Sequence, residues 1–283
     1  MEILKLEWFG VAKGGFMMAN WQEMDTYAKI WVKEAGEKIR DSFLQTLNVQ
    51  TKTNPNDLVT NIDKATEQFF INRIKEKYPS HNVFGEEGLG DQIEDLNGIV
   101  WIIDPIDGTI NFVHQQRNFA ISIGIYENGI GVIGLIYDVV HDELYHAIKG
   151  EGAFLNGNRI PKLAPVELKE AIIGINAAWV ADTRGITPPL LSRLVLDVRG
   201  TRSYGSAAIE IAHVVAGRLD AYITMRLSPW DIAAGRVLIE EVGGIATTLR
   251  GGSLNMLQQN TIFFSKPVLH QTIMKNYLKA GDW

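Results

Sequence analysis

Two aspartates separated by two residues follow an apolar run in the segment Trp101 to Arg117, WIIDPIDGTINFVHQQR. The run predicts the end of a buried strand, because β-branched and aromatic residues bounded by turn formers are typical of a covered sheet. Asp104 and Asp107 then lie in the predicted turn, where Pro105 directs the first carboxylate out of the strand. Two carboxylates in one short turn repel each other unless a cation lies between them, and oxygen ligands favour hard ions such as Mg²⁺. The alternative is a polar turn that caps a helix.

Carboxylates follow predicted structural boundaries elsewhere in the chain. Glu86 and Glu87 come directly after a predicted short strand at residues 82–85, which repeats the pattern of the first motif. Asp63 begins a helix that we expect to end before Pro79. The alternative to a functional role for Asp63 is that of an N-terminal acid that stabilises the helix dipole. Another acid, Asp231, opens a later helix after Pro229. We expect the fold to decide which of these acids meet.

Composition excludes several classes of function. The 283 residues are 46% hydrophobic and 21% charged, which is typical of a globular protein with one large or two smaller domains. The net charge of −6 gives no support for binding nucleic acid or an anionic membrane through bulk electrostatics. With no cysteine, the chain has no disulfide, thiolate nucleophile or sulfur-bound zinc, which agrees with a cytoplasmic location. No apolar run predicts a membrane span, and no leader pattern indicates secretion.

The elements that must position these acids alternate along the chain. A helix is predicted from an N-cap at Asn20, and strands are predicted at residues 48–51, 119–126, 131–137 and 143–148. Strands and helices then alternate to the end, with strands near 171–176, 199–203 and 221–224 and helices near 188–196, 205–215 and 229–242. This order predicts a layered α/β arrangement. We expect an N-terminal appendage at 1–18 outside the fold, whose native start is Met17 or Met18, then halves at 19–155 and 156–283 around a glycine-rich hinge at 150–161.

Several separated motifs together resemble the inositol monophosphatase family. They are Gly85-Glu86-Glu87, the segment from Trp101 to Phe112, the segment Trp230-Asp231-Ile232-Ala233-Ala234-Gly235, and Glu241-Val242-Gly243-Gly244. The resemblance runs from about Asn20 to the C-terminus. It implies an α/β (α+β) protein with the layered αβαβα sandwich of the inositol monophosphatase and fructose-1,6-bisphosphatase type. It also implies a Mg²⁺-dependent, lithium-sensitive phosphomonoesterase that forms a homodimer.

The same resemblance implies a set of metal ligands and a water-activating pair. Glu86, Asp104 and the main-chain carbonyl of Ile106 would hold a first Mg²⁺, and Asp104 would bridge to a second ion held by Asp107 and Asp231. A third, weaker ion would share Glu86, which gives this residue a catalytic as well as a ligating role. Asp63 and Thr109 would orient and help to deprotonate the attacking water. Asp107, Gly108 and Thr109 would also contact the substrate, the last two through the first amides of a helix.

Substrate contacts are where the sequence departs from the family. Relatives that prefer inositol phosphates commonly place a glutamate seven residues before the second-motif aspartate, and the aligned residue here is Thr224. Arg226 is a candidate for a second anionic group, with a surface arginine as the alternative. Arg202, Ser206 and Ala207 lie in the segment that contacts substrate in relatives, the last two through backbone groups. Lys52 and Asp57 match positions in a loop that lies near the metals in relatives. The alternative is that Lys52 is a solvated loop charge and Asp57 caps a turn.

These inferences predict an enzyme that hydrolyses small phosphorylated metabolites, with inositol 1-phosphate as the first choice. The alternatives on the same site are fructose 1,6-bisphosphate, the 2′-phosphate of NADP(H) and 3′-phosphoadenosine 5′-phosphate. An alternative of another class is a regulatory protein that binds the transcription machinery, as some bacterial relatives do. The expected cofactor is Mg²⁺, two to three ions per subunit, and the expected partners are a small metabolite and a second copy of the chain.

Overall fold

The computed structural model describes residues 20–44, 47–51, 58–181 and 188–278. The predicted appendage at 1–18 and the predicted site-loop residues Lys52 and Asp57 therefore lie outside the described residues. The helices are α1 (Trp21–Asp41), α2 (Asn61–Lys77), α3 (Thr109–Gln115), α4 (Ala177–Ala181), α5 (Pro188–Asp197), α6 (Ala207–Val215), α7 (Pro229–Glu241) and α8 (Pro267–Ile273). A π-helical turn, Met274–Leu278, follows α8.

Fourteen strands lie within the described ranges. They are β1 (Val49–Thr51), β2 (Leu58–Thr60), β3 (Asn82–Gly85), β4 (Ile99–Asp107), β5 (Ala120–Glu127), β6 (Ile130–Asp138), β7 (Glu143–Ile148), β8 (Gly152–Leu155), β9 (Asn158–Arg159), β10 (Ile172–Ile175), β11 (Gly200–Arg202), β12 (Ala221–Leu227), β13 (Ile245–Thr247) and β14 (Asn260–Ser265). The large sheet has the order β3-β4-β5-β6-β7-β8-β9, in which β3 and β4 are parallel and the remaining pairs antiparallel. The second sheet has the order β11-β10-β12-β14-β13, and β1 pairs with β2 separately.

Alternating side chains on the strands place helices in three layers around the two sheets. On β4, Trp101 and Ile103 pack with α1 and α2, whereas Val100 and Ile102 pack with α6 and α7 on the opposite face. The second sheet closes the far side of the α6 and α7 layer through Tyr222 and its neighbours. Its other face packs against α5 and α8. The layers therefore run α, β, α, β, α, which confirms the predicted fold class.

The first helix illustrates how the sequence dictates this packing. The Asn20 side chain accepts a hydrogen bond from the Glu23 amide at 3.0 Å, which confirms the predicted N-cap. The buried residues Met24, Ala28 and Trp31 recur at helical spacing, so one face of α1 covers the large sheet.

Two predicted boundaries differ from the structure. The 150–161 segment, predicted as a hinge, contains strands β8 and β9, which extend the large sheet by two strands. The strand predicted to end at Ile103 continues through Asp107, so both aspartates belong to β4 rather than to a turn beyond it. The register of β4 with β5 shifts between Asp104 and Asp107. This irregularity admits Pro105 and turn-forming residues within a strand.

Candidate metal centre

Three aspartate side chains meet at the end of β4. Asp104 and Asp107 from β4 and Asp231 from α7 each place a carboxylate oxygen within 4.8 Å of the other two. Asp104 and Asp107 are buried, where like charges repel more strongly than they do in water. Burial first, and then neighbouring carboxylates, raise the pKa of Asp104 and of Asp231 well above the usual range. Such a cluster is stable as charged groups only with a cation, and its oxygen ligands are those that Mg²⁺ prefers.

A fourth carboxylate, that of Glu86, lies next to this group of three. Glu86 follows β3, and its amide donates a hydrogen bond to the Ile103 carbonyl of β4 at 3.1 Å. After burial, the charge of the neighbouring Glu86 contributes most to raising the pKa of Asp104. The parallel pairing of β3 with β4 therefore brings two acids 18 positions apart in the sequence to one edge.

The start of α6 holds Asp107 in place. The Ser206 hydroxyl donates to Asp107, and the Ala208 amide donates to Asp107 Oδ2 at 2.7 Å. These hydrogen bonds lower the pKa of Asp107, but burial outweighs them and raises it. The start of α6 therefore binds a protein carboxylate in this structure. The sequence predicts that backbone groups of Ser206 and Ala207 at this point contact the substrate. Their contact with substrate stays a prediction.

A helix cap orients Asp63 toward Thr109. Asp63 is the third residue of α2, and its Oδ2 accepts a hydrogen bond from the Thr60 amide at 2.9 Å, forming a capping box. The Thr109 hydroxyl lies 3.1 Å from the other oxygen, Oδ1, and 3.2 Å from the carbonyl oxygen of Ile106. Burial raises the pKa of Asp63 to about 6, against the hydrogen bonds from Thr60. The predicted pair therefore does meet, although its part in water activation stays a prediction.

A second capping box orients Asp231. The Ser228 amide donates to Asp231 Oδ2 at 2.7 Å, and Pro229 occupies the first turn of α7. The signals that could have revealed both caps are short: Thr-Asn-Ile-Asp at the start of α2 and Ser-Pro-Trp-Asp at the start of α7. The two acids are identified from the sequence, but Thr60 and Ser228, which cap their helices, are not.

Glycines in the large sheet allow α7 to lie directly on it. A Cβ atom added to Gly134 on β6 would lie 2.4 Å from the Ala234 carbonyl oxygen of α7. One added to Gly124 on β5 would lie 2.7 Å from Ala233 Cβ. No larger side chain fits at either contact without a shift of the helix backbone. This close approach sets the height of α7, and so of Asp231, above β4.

Gly108 makes the turn between β4 and α3. Its φ of 95° is in the left-handed region, and an added Cβ would lie 3.1 Å from Ser206 Cβ. Glycine is therefore favoured here for two reasons: the turn needs a positive φ, and the start of α6 lies too close for a side chain. α3 begins at Thr109 as predicted.

A pocket of about 220 Å³ lies beside Asp107 and Asp231. Its other lining residues are Asn176, Trp179, Ser203, Gly205, Ser206, Ala207, Glu210, Tyr222, Thr224 and Leu227. Thr224, which the sequence predicts to contact the substrate, therefore lines this pocket. Arg226 and Arg202 are exposed and do not line this pocket, so the structure does not bring the two arginines to it.

Comparison with known proteins agrees with this geometry. The model of the inositol monophosphatase family matches residues 20–281. The chain is 59% identical to inositol-1-monophosphatase of Bacillus subtilis (strain 168) over 263 residues, which is 93% of this chain and 99% of the relative.

Solved structures match over nearly the whole chain. SaIMPase-II, a staphylococcal protein, has been solved with inositol monophosphate bound (44% identity, TM-score 0.82) and with 2′AMP bound (45%, TM-score 0.84). Both cover 91% of this chain, and 94% and 95% of their own. A third structure is an IMPase/NADP phosphatase with Mg²⁺ and phosphate (30%, TM-score 0.83, 91% of this chain and 95% of that one). The chain therefore belongs to the inositol monophosphatase family and is a phosphatase of phosphomonoesters.

Proposed function

We propose that this chain hydrolyses inositol monophosphate to inositol and phosphate with Mg²⁺. The observation that carries the proposal is the group of Asp104, Asp107 and Asp231, whose oxygens lie within 4.8 Å of one another beside a pocket of about 220 Å³. A cavity of this kind suits a small ring-shaped leaving group, and its polar lining suits hydroxyl groups. The name of the Bacillus subtilis relative, at 59% identity, supports the same substrate.

The acidic residues fit the cation that this reaction needs. Asp104, Asp107 and Asp231 would hold Mg²⁺ together with Glu86 and the Ile106 carbonyl, because all five groups offer oxygen ligands. When bound, Mg²⁺ supplies positive charge that polarises the phosphoryl group and acidifies a water molecule. The chain's own task is to hold the carboxylates charged and close together, which the start of α6 does for Asp107.

Thr109 and Asp63 orient the attacking water. Because the Thr109 hydroxyl donates to Asp63 Oδ1, its oxygen lone pairs remain to accept a hydrogen bond from the attacking water, whose proton can then pass through the hydroxyl to Asp63. Asp63 holds that direction, and its own orientation is fixed by the Thr60 cap. This is the arrangement of a positioned base that acts through a hydroxyl.

A second candidate substrate is a nucleoside 2′-phosphate. Trp179 and Tyr222 line the pocket, and an aromatic surface suits a nucleobase. The 2′AMP complex of SaIMPase-II supports this option. Fructose 1,6-bisphosphate, NADP(H) and 3′-phosphoadenosine 5′-phosphate remain in the comparison as the alternatives predicted from the sequence, and one of the matching structures is an IMPase/NADP phosphatase.

Phosphate release from a substrate panel tests the proposal. We expect kcat/KM with Mg²⁺ to be highest for inositol 1-phosphate among that compound, 2′AMP, fructose 1,6-bisphosphate, NADP and 3′-phosphoadenosine 5′-phosphate. Asp104→Asn should abolish release, and Asp63→Asn should lower kcat by about 10²–10⁴-fold with little change in Mg²⁺ affinity. A cellular phenotype that survives Asp104→Asn would favour the regulatory alternative, in which the chain binds the transcription machinery.

We also propose a cytoplasmic homodimer that is inhibited by Li⁺. No described helix is both long and apolar enough to cross a bilayer. Sedimentation of the purified protein tests the dimer, and fractionation of the host cell tests the location. Inhibition by Li⁺ that is relieved by raising Mg²⁺ would support a shared cation site.

A further inference from the structure

One more carboxylate is buried beside the metal centre, and the proposed function gives it no role. Glu67 lies on α2, one helical turn after Asp63, and its side chain is 0% exposed. A buried carboxylate is costly unless hydrogen bonds or a cation replace its hydration. Its contacts therefore indicate what it does.

Both oxygens of Glu67 bind backbone amides of one turn. The Glu87 amide donates to Oε2 at 2.7 Å, and the Leu89 amide donates to Oε1 at 2.8 Å. These amides belong to the turn that follows β3 and begins with Glu86. Hydrogen bonds to a charged acceptor are shorter and stronger than neutral ones, so Glu67 ties this turn firmly to α2.

The turn is also bonded to the neighbouring strand β4 of the large sheet. The Glu86 amide donates to the Ile103 carbonyl of β4 at 3.1 Å. The Glu86 amide is thus bonded to β4, which carries Asp104, and the next amide along the chain, that of Glu87, is bonded to Glu67. Because these two hydrogen bonds fix the backbone on both sides of the Glu86 Cα atom, they limit the positions that the Glu86 carboxylate can reach.

Gly85 makes the approach of Glu67 possible. A Cβ atom added to Gly85 would lie 2.4 Å from the Glu67 carboxyl carbon and 2.4 Å from Oε2. Only glycine leaves space for the carboxylate against the end of β3. The pair Gly85 and Glu67 therefore acts as one structural unit.

We propose that Glu67 is a positioning residue that holds Glu86 in place as a ligand of the cation. The inference rests on the proposed function in that Glu86 binds Mg²⁺. α2 then serves the centre at two points one turn apart, through Asp63 toward the attacking water and through Glu67 toward a metal ligand. Outer contacts that orient a ligand typically change metal affinity by about 10–100-fold when they are lost.

Glu67→Gln tests the proposal with little change of shape. One end of the amide is a donor and would oppose one of the two backbone amides, so the turn should shift. We expect the Mg²⁺ dissociation constant, measured by calorimetric titration without substrate, to rise about tenfold or more. We expect kcat at saturating Mg²⁺ to fall by much less than the Mg²⁺ affinity does, since Asp63 and Thr109 are untouched. Glu76→Gln, on an exposed position of the same helix, is the matched control and should change neither quantity.

Gly85→Ala gives an independent test from the other partner. The added methyl group should push the Glu67 carboxylate off the turn and reproduce the loss of Mg²⁺ affinity; this variant decides the question if Glu67→Gln does not fold. Unchanged Mg²⁺ affinity in a folded Glu67→Gln or Gly85→Ala protein would overturn the proposal, even if the melting temperature fell. A loss of kcat at saturating Mg²⁺ as large as the loss of affinity would overturn it too. Wild-type protein that binds Mg²⁺ without phosphatase activity would contradict the proposed function while leaving this calorimetric comparison decisive.

Discussion

Replacing Gly134 by alanine should lift α7 from the large sheet and weaken the metal centre. The added Cβ would lie 2.4 Å from the Ala234 carbonyl oxygen, which is 1.0 Å shorter than the 3.4 Å at which ordinary contact begins. The next contact is Val237 Cβ at 3.0 Å, so helix backbone and a β-branched side chain both oppose the methyl group. The helix must therefore move by several tenths of an ångström up to about 1 Å.

The displacement has a cost in stability and a cost in function. Overpacking a core contact of this kind costs about 1–3 kcal/mol, which for a chain of this size lowers the melting temperature by about 2–5 °C. Asp231 lies three residues before Ala234 on the same helix, so it moves with the contact. A misplacement approaching 1 Å at a reacting centre can lower turnover by about 10²-fold, and we expect a loss of roughly 10- to 100-fold in kcat/KM.

Calorimetric unfolding and Mg²⁺-dependent phosphate release together measure both effects. Gly200→Ala is the matched control, because the nearest atom to an added Cβ there is Arg202 Nη1, at an ordinary 3.6 Å. A Gly134→Ala protein with the melting temperature and Mg²⁺ dependence of the wild type would refute the idea that glycine sets the height of α7. A variant that is less stable but fully active would refute only the link to Asp231.

Three further predictions concern the site and the pH dependence of stability. Thr109→Ala should lower kcat by about 10²–10⁴-fold and change the Mg²⁺ half-saturation less than twofold in steady-state assays; equal losses would count against a role in water activation. Ser206→Ala removes the helix cap of α6 and the hydroxyl donor to Asp107, so calorimetry should show a loss of about 1 kcal/mol and titration a several-fold weaker binding of Mg²⁺. The Arg218 guanidinium lowers the pKa of Glu143 from 4.5 to about 2, so this pair stabilises the fold above pH 4.5 and the contribution is lost as pH falls toward 2. In Glu143→Gln, the free energy of unfolding should therefore fall less than in the wild type between pH 4.5 and 2, by roughly 1 kcal/mol or less because the pair is partly exposed. A variant whose free energy of unfolding falls with pH as steeply as that of the wild type would exclude the effect.

The identity of the acids could be predicted from the sequence, but their surroundings could not. Asp104 and Asp107 were recognised because an apolar run ends beside them, and Asp63 because it opens a helix. The course of β4 through both aspartates was missed, since proline and aspartate favour turns when taken alone. Pairing with β5, which resumes at Ala120 after the register shift, overrides that local preference.

Contacts between distant segments account for the rest of what the sequence left open. Nothing local to Gly134 indicates that α7 will rest on it, because a strand glycine is equally typical of a bulge. Glu67 reads as one of several charged residues on an amphipathic helix, and only the fold reveals that it faces a buried turn. Arg226 was a reasonable candidate by charge, yet its side chain is exposed outside the pocket.

The two capping boxes have a consequence for how this active site withstands divergence of the sequence. Asp63 and Asp231 are each oriented by a residue three positions earlier, so their directions are re-established whenever the first turn of the helix forms. Asp107 depends instead on donors 99 and 101 positions later in the chain. Insertions or drift in the intervening loops can therefore misplace Asp107 while leaving the two capped acids correctly aimed. The tolerance of the centre to accumulated change is limited by the alignment of α6 with β4, and an engineered graft of this site onto another scaffold must reproduce that alignment first.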